Sequence, residues 1–270
     1  MYIKSKISNI NLNRRRIEMI RQEYKWLTDT YVAHRGLFDN DNGVPENSLP
    51  AFVKAVENGF GIETDVQMSK DGVLVVFHDD TLKRMTGAEG KLTDYTFEEL
   101  RKLRLAGTDC VIPTFEEFLK AANGVNLVVE IKSHENIGEV EQITYDALKS
   151  YEGHYCVESF NPFIIRWFKK HAKEVIRGTL SCAYDGAPWS RYKKNLLANL
   201  KLCKWNGSQF IAYDAATVAT NKAVKEFGKK IPIICWTIRS QEEYDRLHDH
   251  FDNMIFDGFV PERRDVVIKK

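Results

Sequence analysis

Gly61-Ile-Glu-Thr-Asp-Val-Gln-Met-Ser-Lys-Asp-Gly-Val-Leu-Val-Val-Phe-His78 is the stretch whose reading decides the fold. Asp71-Gly72 is a turn signal between two apolar runs, so 62–68 and 73–78 read as strands joined by a tight reversal. Side chains alternate along a strand, which puts Glu63 and Asp65 on one face and Ile62, Thr64 and Val66 on the other. Two carboxylates forced together repel, and a divalent cation removes the repulsion.

Working outward, Tyr31-Val-Ala-His-Arg-Gly36 reads as a strand that ends in His34 and Arg35, and Pro45-Glu-Asn47 follows it. Downstream, Asn126-Leu-Val-Val-Glu-Ile-Lys132 is another strand, with Glu130 and Lys132 on one face. These residue types suit phosphate-ester hydrolysis. Carboxylates hold a hard cation, arginine grips phosphate oxygens, and imidazoles move protons near neutral pH. Glu130 can be a third carboxylate ligand, and Lys132 a second cationic phosphate contact beside Arg35.

Plainer readings exist for each. A histidine at a strand end is often structural, and lysines at strand ends are common. Glu46 and Asn47 can simply cap the next helix, and Glu63 and Asp65 can be a solvated face. Glu130 argues against the plain reading, because an unpaired charge inside Leu-Val-Val-Glu-Ile would be costly. His134, His154, His171, His248 and His250 lack such surroundings and read as surface or structural residues.

Short apolar runs alternate with helical patterns along the chain, as βα repeats do. Eight runs are candidate barrel strands: 31–35, 61–67, 126–132, 154–159, 174–180, 209–213, 232–238 and 253–257. The run 73–78 is extra, an antiparallel return above the barrel mouth. A helix starts at Asn47-Ser48, carries Phe52 and Val56 on one face and stops at Asn58-Gly59. The segment 80–125 is too long for a plain loop. It carries a helix start in 93–100, and a capped helix in 113–119 with Thr114 as N-cap and Glu117 at the third helical position. Strand–loop–helix order places His34 and Arg35 at a strand's C-terminal end, where barrel active sites lie.

A length of 270 residues suits one α/β barrel. The net charge of +1 gives no global field that draws the chain to nucleic acid or membrane. No apolar run approaches the roughly 18 residues of a spanning helix, so no stable membrane insertion is expected. The first ten residues, Met1 to Ile10, are basic and lack a signal-peptide core. Five scattered cysteines, odd in number and without a CxxC pair, favour reduced thiols in a cytoplasmic protein, with Cys156 and Cys235 in the core. Residues 1–25 are rich in Lys and Arg, and Ile17, Ile20, Tyr24 and Leu27 follow helical spacing. Two readings stand: a helix capping the barrel's closed end, or a basic amphipathic helix that touches anionic lipid.

The ordered set His-Arg-Gly, Pro-Glu-Asn, Glu-x-Asp, Asp-Gly, His-Asp and Glu-Ile-Lys resembles the glycerophosphodiester phosphodiesterase family. The resemblance runs from Tyr31 to the C-terminus and is strongest from His34 to Lys132. It implies a TIM (β/α)8 barrel over 31–270, with a small insertion over 80–125 after the second strand; residues 1–30 stand before it as an extension that the helical spacing makes a helix. It implies metal-dependent cleavage of a small-molecule glycerophosphodiester into sn-glycerol 3-phosphate and an alcohol, with Mg2+ or Ca2+ and without a nucleic-acid partner. By the same resemblance His34 and His78 are the acid–base pair. Glu63, Asp65 and Glu130 are the metal ligands, Arg35 and Lys132 hold the phosphate, and Asn47 orients its neighbours.

Trp236 in Ile-Cys-Trp-Thr-Ile238 and Phe160 in Glu158-Ser-Phe160 either wall the glycerol pocket or fill the barrel. The sequence departs from the family twice. Arg239 stands where Asn often follows Trp-Thr-hydrophobic, and Asp252-Asn-Met-Ile-Phe-Asp257 replaces Asp-Gly-hydrophobic-hydrophobic-Thr-Asp. Both departures bear on the alcohol side of the site. Two competing readings are a lysophospholipase D-type enzyme with a longer apolar groove, and a barrel that has lost catalysis and binds phosphodiesters.

Overall fold

In the computed structural model, which describes residues 24–132 and 136–262, the alternating pattern becomes a closed parallel barrel. The first half runs α1 (Lys25–Asp29), β1 (Val32–Ala33), α2 (Leu49–Glu57), β2 (Gly61–Met68), β3 (Leu74–Val76), α3 (Lys83–Thr86), α4 (Phe97–Leu100), α5 (Phe115–Ala122) and β4 (Leu127–Ile131). The second half runs α6 (Glu139–Leu148), β5 (Tyr155–Ser159), α7 (Pro162–His171), β6 (Ile176–Ser181), α8 (Arg191–Ala198) and α9 (Cys203–Asn206). It closes with β7 (Phe210–Asp214), α10 (Lys222–Gly228), β8 (Ile233–Ile238), α11 (Gln241–Leu247) and β9 (Asn253–Phe256). β1 pairs in parallel with both β2 and β9, which closes the ring through β4 to β8 as a TIM barrel. β3 lies outside the ring, antiparallel to the upper half of β2, with Val66 opposite Val76 and Met68 opposite Leu74.

All eight expected strands are present. The first is shorter than 31–35, because the chain leaves the ladder after Ala33 with Arg35 at φ 55° and Gly36 at φ 81°. Position 36 admits only glycine there: a Cβ would also come within 2.8 Å of the Ala51 backbone.

Inward positions repeat every second residue. Near the N-terminal ends of the strands they are apolar, among them Val32, Val128, Cys156, Ile234 and Ile255, and Tyr24 just before α1 and Leu27 within it pack into the same cluster. Gly178 makes room for this plug, since a Cβ would lie 2.2 Å from the Phe210 ring. Gln209 donates to the Tyr24 hydroxyl, and Asn253 donates to the carbonyls of Leu27 and Thr30. The closed end is thus sealed by the described end of the N-terminal segment; its residues 1–23 lie outside the described residues.

Two residues further along, most of these inward positions change to charged or aromatic side chains. His34 follows Val32, Glu130 follows Val128, Glu158 follows Cys156, Trp236 follows Ile234 and Asp257 follows Ile255. β2 adds Glu63 and Asp65. Outward positions such as Ile62, Val66, Val129 and Val157 pack on the helices with Phe52, Phe118 and Phe168. Phe52 and Phe118 meet edge to face at 4.6 Å. Truncating either to alanine would remove about 3–5 kcal/mol.

The insertion carries its own core. Leu82, Met85, Leu92, Leu100, Leu105 and Ile112 pack on Val75 and Phe77 of the β3 return. The helix expected within 93–100 begins only at Phe97, where Thr96 and Glu99 form a capping box; Leu92–Asp94 is a short 3-10 turn instead. Thr114 and Glu117 cap α5 as their spacing predicts. Among the described residues no helix is long and apolar enough to cross a membrane.

Candidate active site

β1, β2 and β4 bring the charged residues of the motif to one point at the barrel mouth. Asp65 lies in register with Glu130, and Glu130 in register with Glu158 on β5. One carboxylate oxygen from each of Glu63, Asp65 and Glu130 lies within 4.8 Å of the others, and all three residues are buried. Burial, reinforced by repulsion from Asp65 and Glu158, pushes Glu63 well above the usual carboxylate range. Burial raises Glu130 to about 7, although Lys132 opposes the shift. Asp65 goes the other way despite its burial, because Lys132, His78 and Arg35 favour its charge. Asp65 Oδ1 and Glu158 Oε2 are buried without a hydrogen bond. A concave cluster of hard oxygen donors with unmet acceptors and suppressed ionisation is what a divalent cation satisfies. The donor set therefore fits Mg2+ or Ca2+ in kind and in number of carboxylates.

The cations frame this cluster. Lys132 Nζ lies 3.2 Å from Glu130 Oε1 and 3.4 Å from Asp65 Oδ1. Arg35 donates its backbone N–H to Glu63 Oε2 at 3.1 Å, and its guanidinium pairs with Glu46 Oε1 at 2.6 Å. Asn47 donates to Asp65 Oδ2 at 2.9 Å and accepts from the Thr64 hydroxyl, so it fixes the Asp65 carboxylate. Arg35 and Asn47 both hold positive φ, at 55° and 54°. Such backbone strain outside glycine gathers where a site over-determines the geometry.

Each histidine has its own aspartate. His34 Nδ1 lies 2.7 Å from Asp257 Oδ2, and His78 Nδ1 lies 2.6 Å from Asp79 Oδ1. A carboxylate only accepts, so Nδ1 carries the proton in both rings. Nε2 is left as the exchanging nitrogen. Burial lowers the pKa of both rings, and outweighs the Asp257 hydrogen bond at His34 and the Asp65 charge at His78. Both are held toward the neutral form, with the tautomer set by the aspartate.

Arg84, from α3 of the insertion, joins the two halves of this machinery. Its guanidinium donates to both oxygens of Glu46 at 2.7 and 2.8 Å and to both oxygens of Asp79 at 2.6 and 2.9 Å. Glu46 in turn holds Arg35. Burial would raise Glu46, but Arg84 and Arg35 draw it down to about 2, so it stays charged.

The other side of the mouth is aromatic. Phe160 meets Trp236 edge to face at 5.6 Å and Tyr184 at 6.3 Å. The structure therefore brings His34, Arg35, Asn47, Glu63, Asp65, His78, Glu130, Lys132, Phe160 and Trp236 together at the mouth. It adds Asp257, Asp79, Arg84, Glu46 and Glu158, which had no assigned role. Asp79 was visible as the neighbour of His78, and Asp257 as the residue that ends the last strand. Arg84 is a single arginine in an insertion, and nothing local marks it.

Comparison with known proteins points the same way. Residues 34–259 match the Glycerophosphoryl diester phosphodiesterase family. The chain is 38% identical over 172 residues to the glycerophosphodiester phosphodiesterase of Caldanaerobacter subterraneus, an alignment that covers 58% of this chain and 69% of the relative. It is 27% identical over 261 residues to human glycerophosphodiester phosphodiesterase 1, covering 85% of this chain and 78% of that one. Among solved structures, the Thermotoga maritima glycerophosphodiester phosphodiesterase superposes with a TM-score of 0.65 at 25% identity, over 84% of this chain and 94% of that one. An Oleispira antarctica phosphodiesterase, solved with sn-glycerol-3-phosphate, superposes with a TM-score of 0.70 at 23% identity, over 86% and 94% of the two chains, a likeness of fold.

Proposed function

Because the chain belongs to the glycerophosphoryl diester phosphodiesterase family, and so is a phosphodiester hydrolase, we propose that it works by metal-assisted acid–base catalysis with His34 and His78. The observation that supports this most is the meeting, at one mouth, of two aspartate-backed imidazoles with the Glu63, Asp65 and Glu130 cluster. These three carboxylates would hold Mg2+ or Ca2+, which when bound supplies Lewis-acid polarisation of a phosphoryl oxygen. Arg35 and Lys132 take the remaining phosphate oxygens. As charge builds there, each cation trades part of its carboxylate pairing for the substrate.

One imidazole accepts the proton of the attacking oxygen through Nε2, while its aspartate holds Nδ1–H and favours the imidazolium that forms. The other imidazole enters the step protonated and donates to the departing oxygen, because an alkoxide is too strong a base to leave unaided near neutral pH. The attacking oxygen comes from water or from the neighbouring 2-hydroxyl of the glycerol. A cyclic phosphate seen by phosphorus NMR during turnover would identify the hydroxyl route. Asn47 holds Asp65 in place, and Trp236 with Phe160 walls the glycerol side. The products are sn-glycerol 3-phosphate and an alcohol.

The substrates are water-soluble glycerophosphodiesters. The test is a panel of glycerophosphocholine, glycerophosphoethanolamine, glycerophosphoglycerol and lysophospholipids, each with and without added divalent metal. The proposal expects turnover of the first three only with metal. Highest kcat/KM on lysophospholipids would overturn the substrate assignment.

A further inference from the structure

The chain's charge is far from evenly spread. Between Phe160 and Asn206 there are ten lysines and arginines against two carboxylates, in a chain whose whole formal charge is +1. One of the ten, Arg177, is buried. The other nine are exposed or half-exposed, and among the described residues none takes part in an ion pair. Where they have partners, those are neutral. Arg166 and Lys169 donate to the Trp205 carbonyl, Lys201 to the Asn195 side chain, and Lys193 sits 3.8 Å over the Trp189 ring. On other faces cations such as Lys83, Arg101, Lys149 and Lys229 do pair with an acid.

The same segment holds all four of the large exposed aromatic residues of the described chain: Phe163, Trp189, Tyr192 and Trp205. Tyr192 is 79% exposed and Phe163 58%. Phe163 lies in the first turn of α7 and Tyr192 in the first turn of α8, with Trp189 just before it. Both helices start at the C-terminal ends of barrel strands, so these rings sit on the rim of the active-site mouth. Trp205 joins them through Phe163, with centroids 5.4 Å apart. No residue of α8 is buried, and its Leu196 and Leu197 are only half covered. An aromatic row then leads inward from the rim. Trp189 meets Tyr184 at 5.3 Å, Tyr184 meets Phe160, and Phe160 meets Trp236 inside the mouth.

We propose that this face, α7 to α9 with the loop before α8, docks the barrel mouth onto an anionic lipid bilayer. Amphipathic aromatic rings settle at the headgroup level, and flanking lysines and arginines are drawn to anionic headgroups. On the rim itself Arg191, Lys193 and Lys194 stand in the first turn of α8 beside these rings, with Pro188 exposed next to them and the half-exposed leucines of α8 for an interface to take up. A nucleic-acid platform would use the rings and cations but has no use for these aliphatic side chains. The proposal does not depend on the catalytic assignments, because binding is read without turnover.

The test is co-sedimentation of the full chain with vesicles of phosphatidylglycerol and phosphatidylcholine in equal parts. The protein should pellet with these at low salt, release at high salt and ignore phosphatidylcholine alone. Lys193→Gln with Lys194→Gln should weaken partitioning roughly 30-fold, since each neutralised cation near such a surface forfeits about 1 kcal/mol, a factor of about five. Phe163→Ser with Tyr192→Ser should weaken it too, with circular dichroism unchanged because both side chains are exposed. All variants should hydrolyse soluble glycerophosphocholine like the parent. Equal binding to phosphatidylcholine, or retention on single-stranded RNA in place of vesicles, would overturn the proposal. Undiminished binding by both double variants would also overturn it, and would move the lipid contact to the basic segment before residue 24.

Discussion

The β1–β2–β4 side and the β5–β8 side of the same barrel mouth occupy equivalent inward positions and do opposite things with them. The first packs His34, Arg35, Glu63, Asp65, Glu130 and Lys132 together, nearly every one within 4 Å of an opposite charge. The second presents Phe160, Tyr184 and Trp236 in ring-to-ring contact. Buried charges must partner one another, so that side is over-determined: Asn47 holds Asp65, Asp257 holds His34, Asp79 holds His78, and Arg84 ties Asp79 to Glu46, the partner of Arg35. Aromatic rings need only contact and shape, so the other side can vary without stranding a neighbour. Chemistry should therefore fail sharply when the charged side is altered, and specificity should drift when the aromatic side is.

The largest effect should come from the carboxylate cluster. Chelation should abolish turnover, and Mg2+ or Ca2+ should restore it; Glu63→Gln, Asp65→Asn and Glu130→Gln should each weaken metal binding in calorimetry. Full activity in metal-stripped protein would break the contrast at its root. Next come the imidazoles. His34→Ala and His78→Ala should each lower kcat on the order of 10²–10⁴-fold with circular dichroism unchanged, the range for one lost acid or base. Near-normal kcat in either variant would remove that histidine from its role.

Arg84→Ala tests whether the charged side needs its outer clamp. With Asp79 and Glu46 both released, His78 and Arg35 lose their fixed positions, and kcat should fall up to about 10²-fold with KM little changed. Free guanidinium should restore part of it, and Arg84→Lys less, because an ammonium cannot make two bidentate pairs. A loss of folded protein in place of a kcat effect would reduce Arg84 to a structural tie.

The pH dependence of metal binding is smaller and has a definite sign. Glu130 is raised to about 7 by burial, so below that pH a proton must leave before the metal is held. Glu130 alone should lower affinity by up to about tenfold per pH unit below 7, for the one proton it must release. The raised pKa of Glu63 acts in the same direction. Glu130→Gln should flatten the slope; an unchanged slope would detach Glu130 from the metal.

The aromatic side should yield the smallest effects. Trp236→Ala should raise KM and leave kcat nearly intact. Choline and ethanolamine esters should differ by about tenfold or less, about 1.4 kcal/mol of transition-state binding. A kcat loss in Trp236→Ala that matched the histidine variants would erase the distinction between the two sides.

Much of this was legible in the residues. The eight strands could be placed because each is a short apolar run bounded by turn or cap signals. The hairpin could be placed because Asp71-Gly72 supports one tight reversal. The core of the candidate site lies within His34 to Lys132, where the period of two puts Glu63 with Asp65 and Glu130 with Lys132 without any tertiary knowledge. By itself, then, the amino-acid order determined the barrel, the face each acid takes and the ordered motif of the family.

Only closure of the barrel decided the rest. Asp257 reaches His34 from 223 positions away because β9 pairs with β1. Glu158 becomes the fourth acid because β5 stands in register with β4. Arg84 finds Glu46 across 38 positions because the insertion folds on its own small core above β3. Local spacing constrains residues a few positions apart through the geometry of one strand or one turn. Contacts between distant segments depend on register and on how the ring closes, and that is settled by the packing of the whole chain.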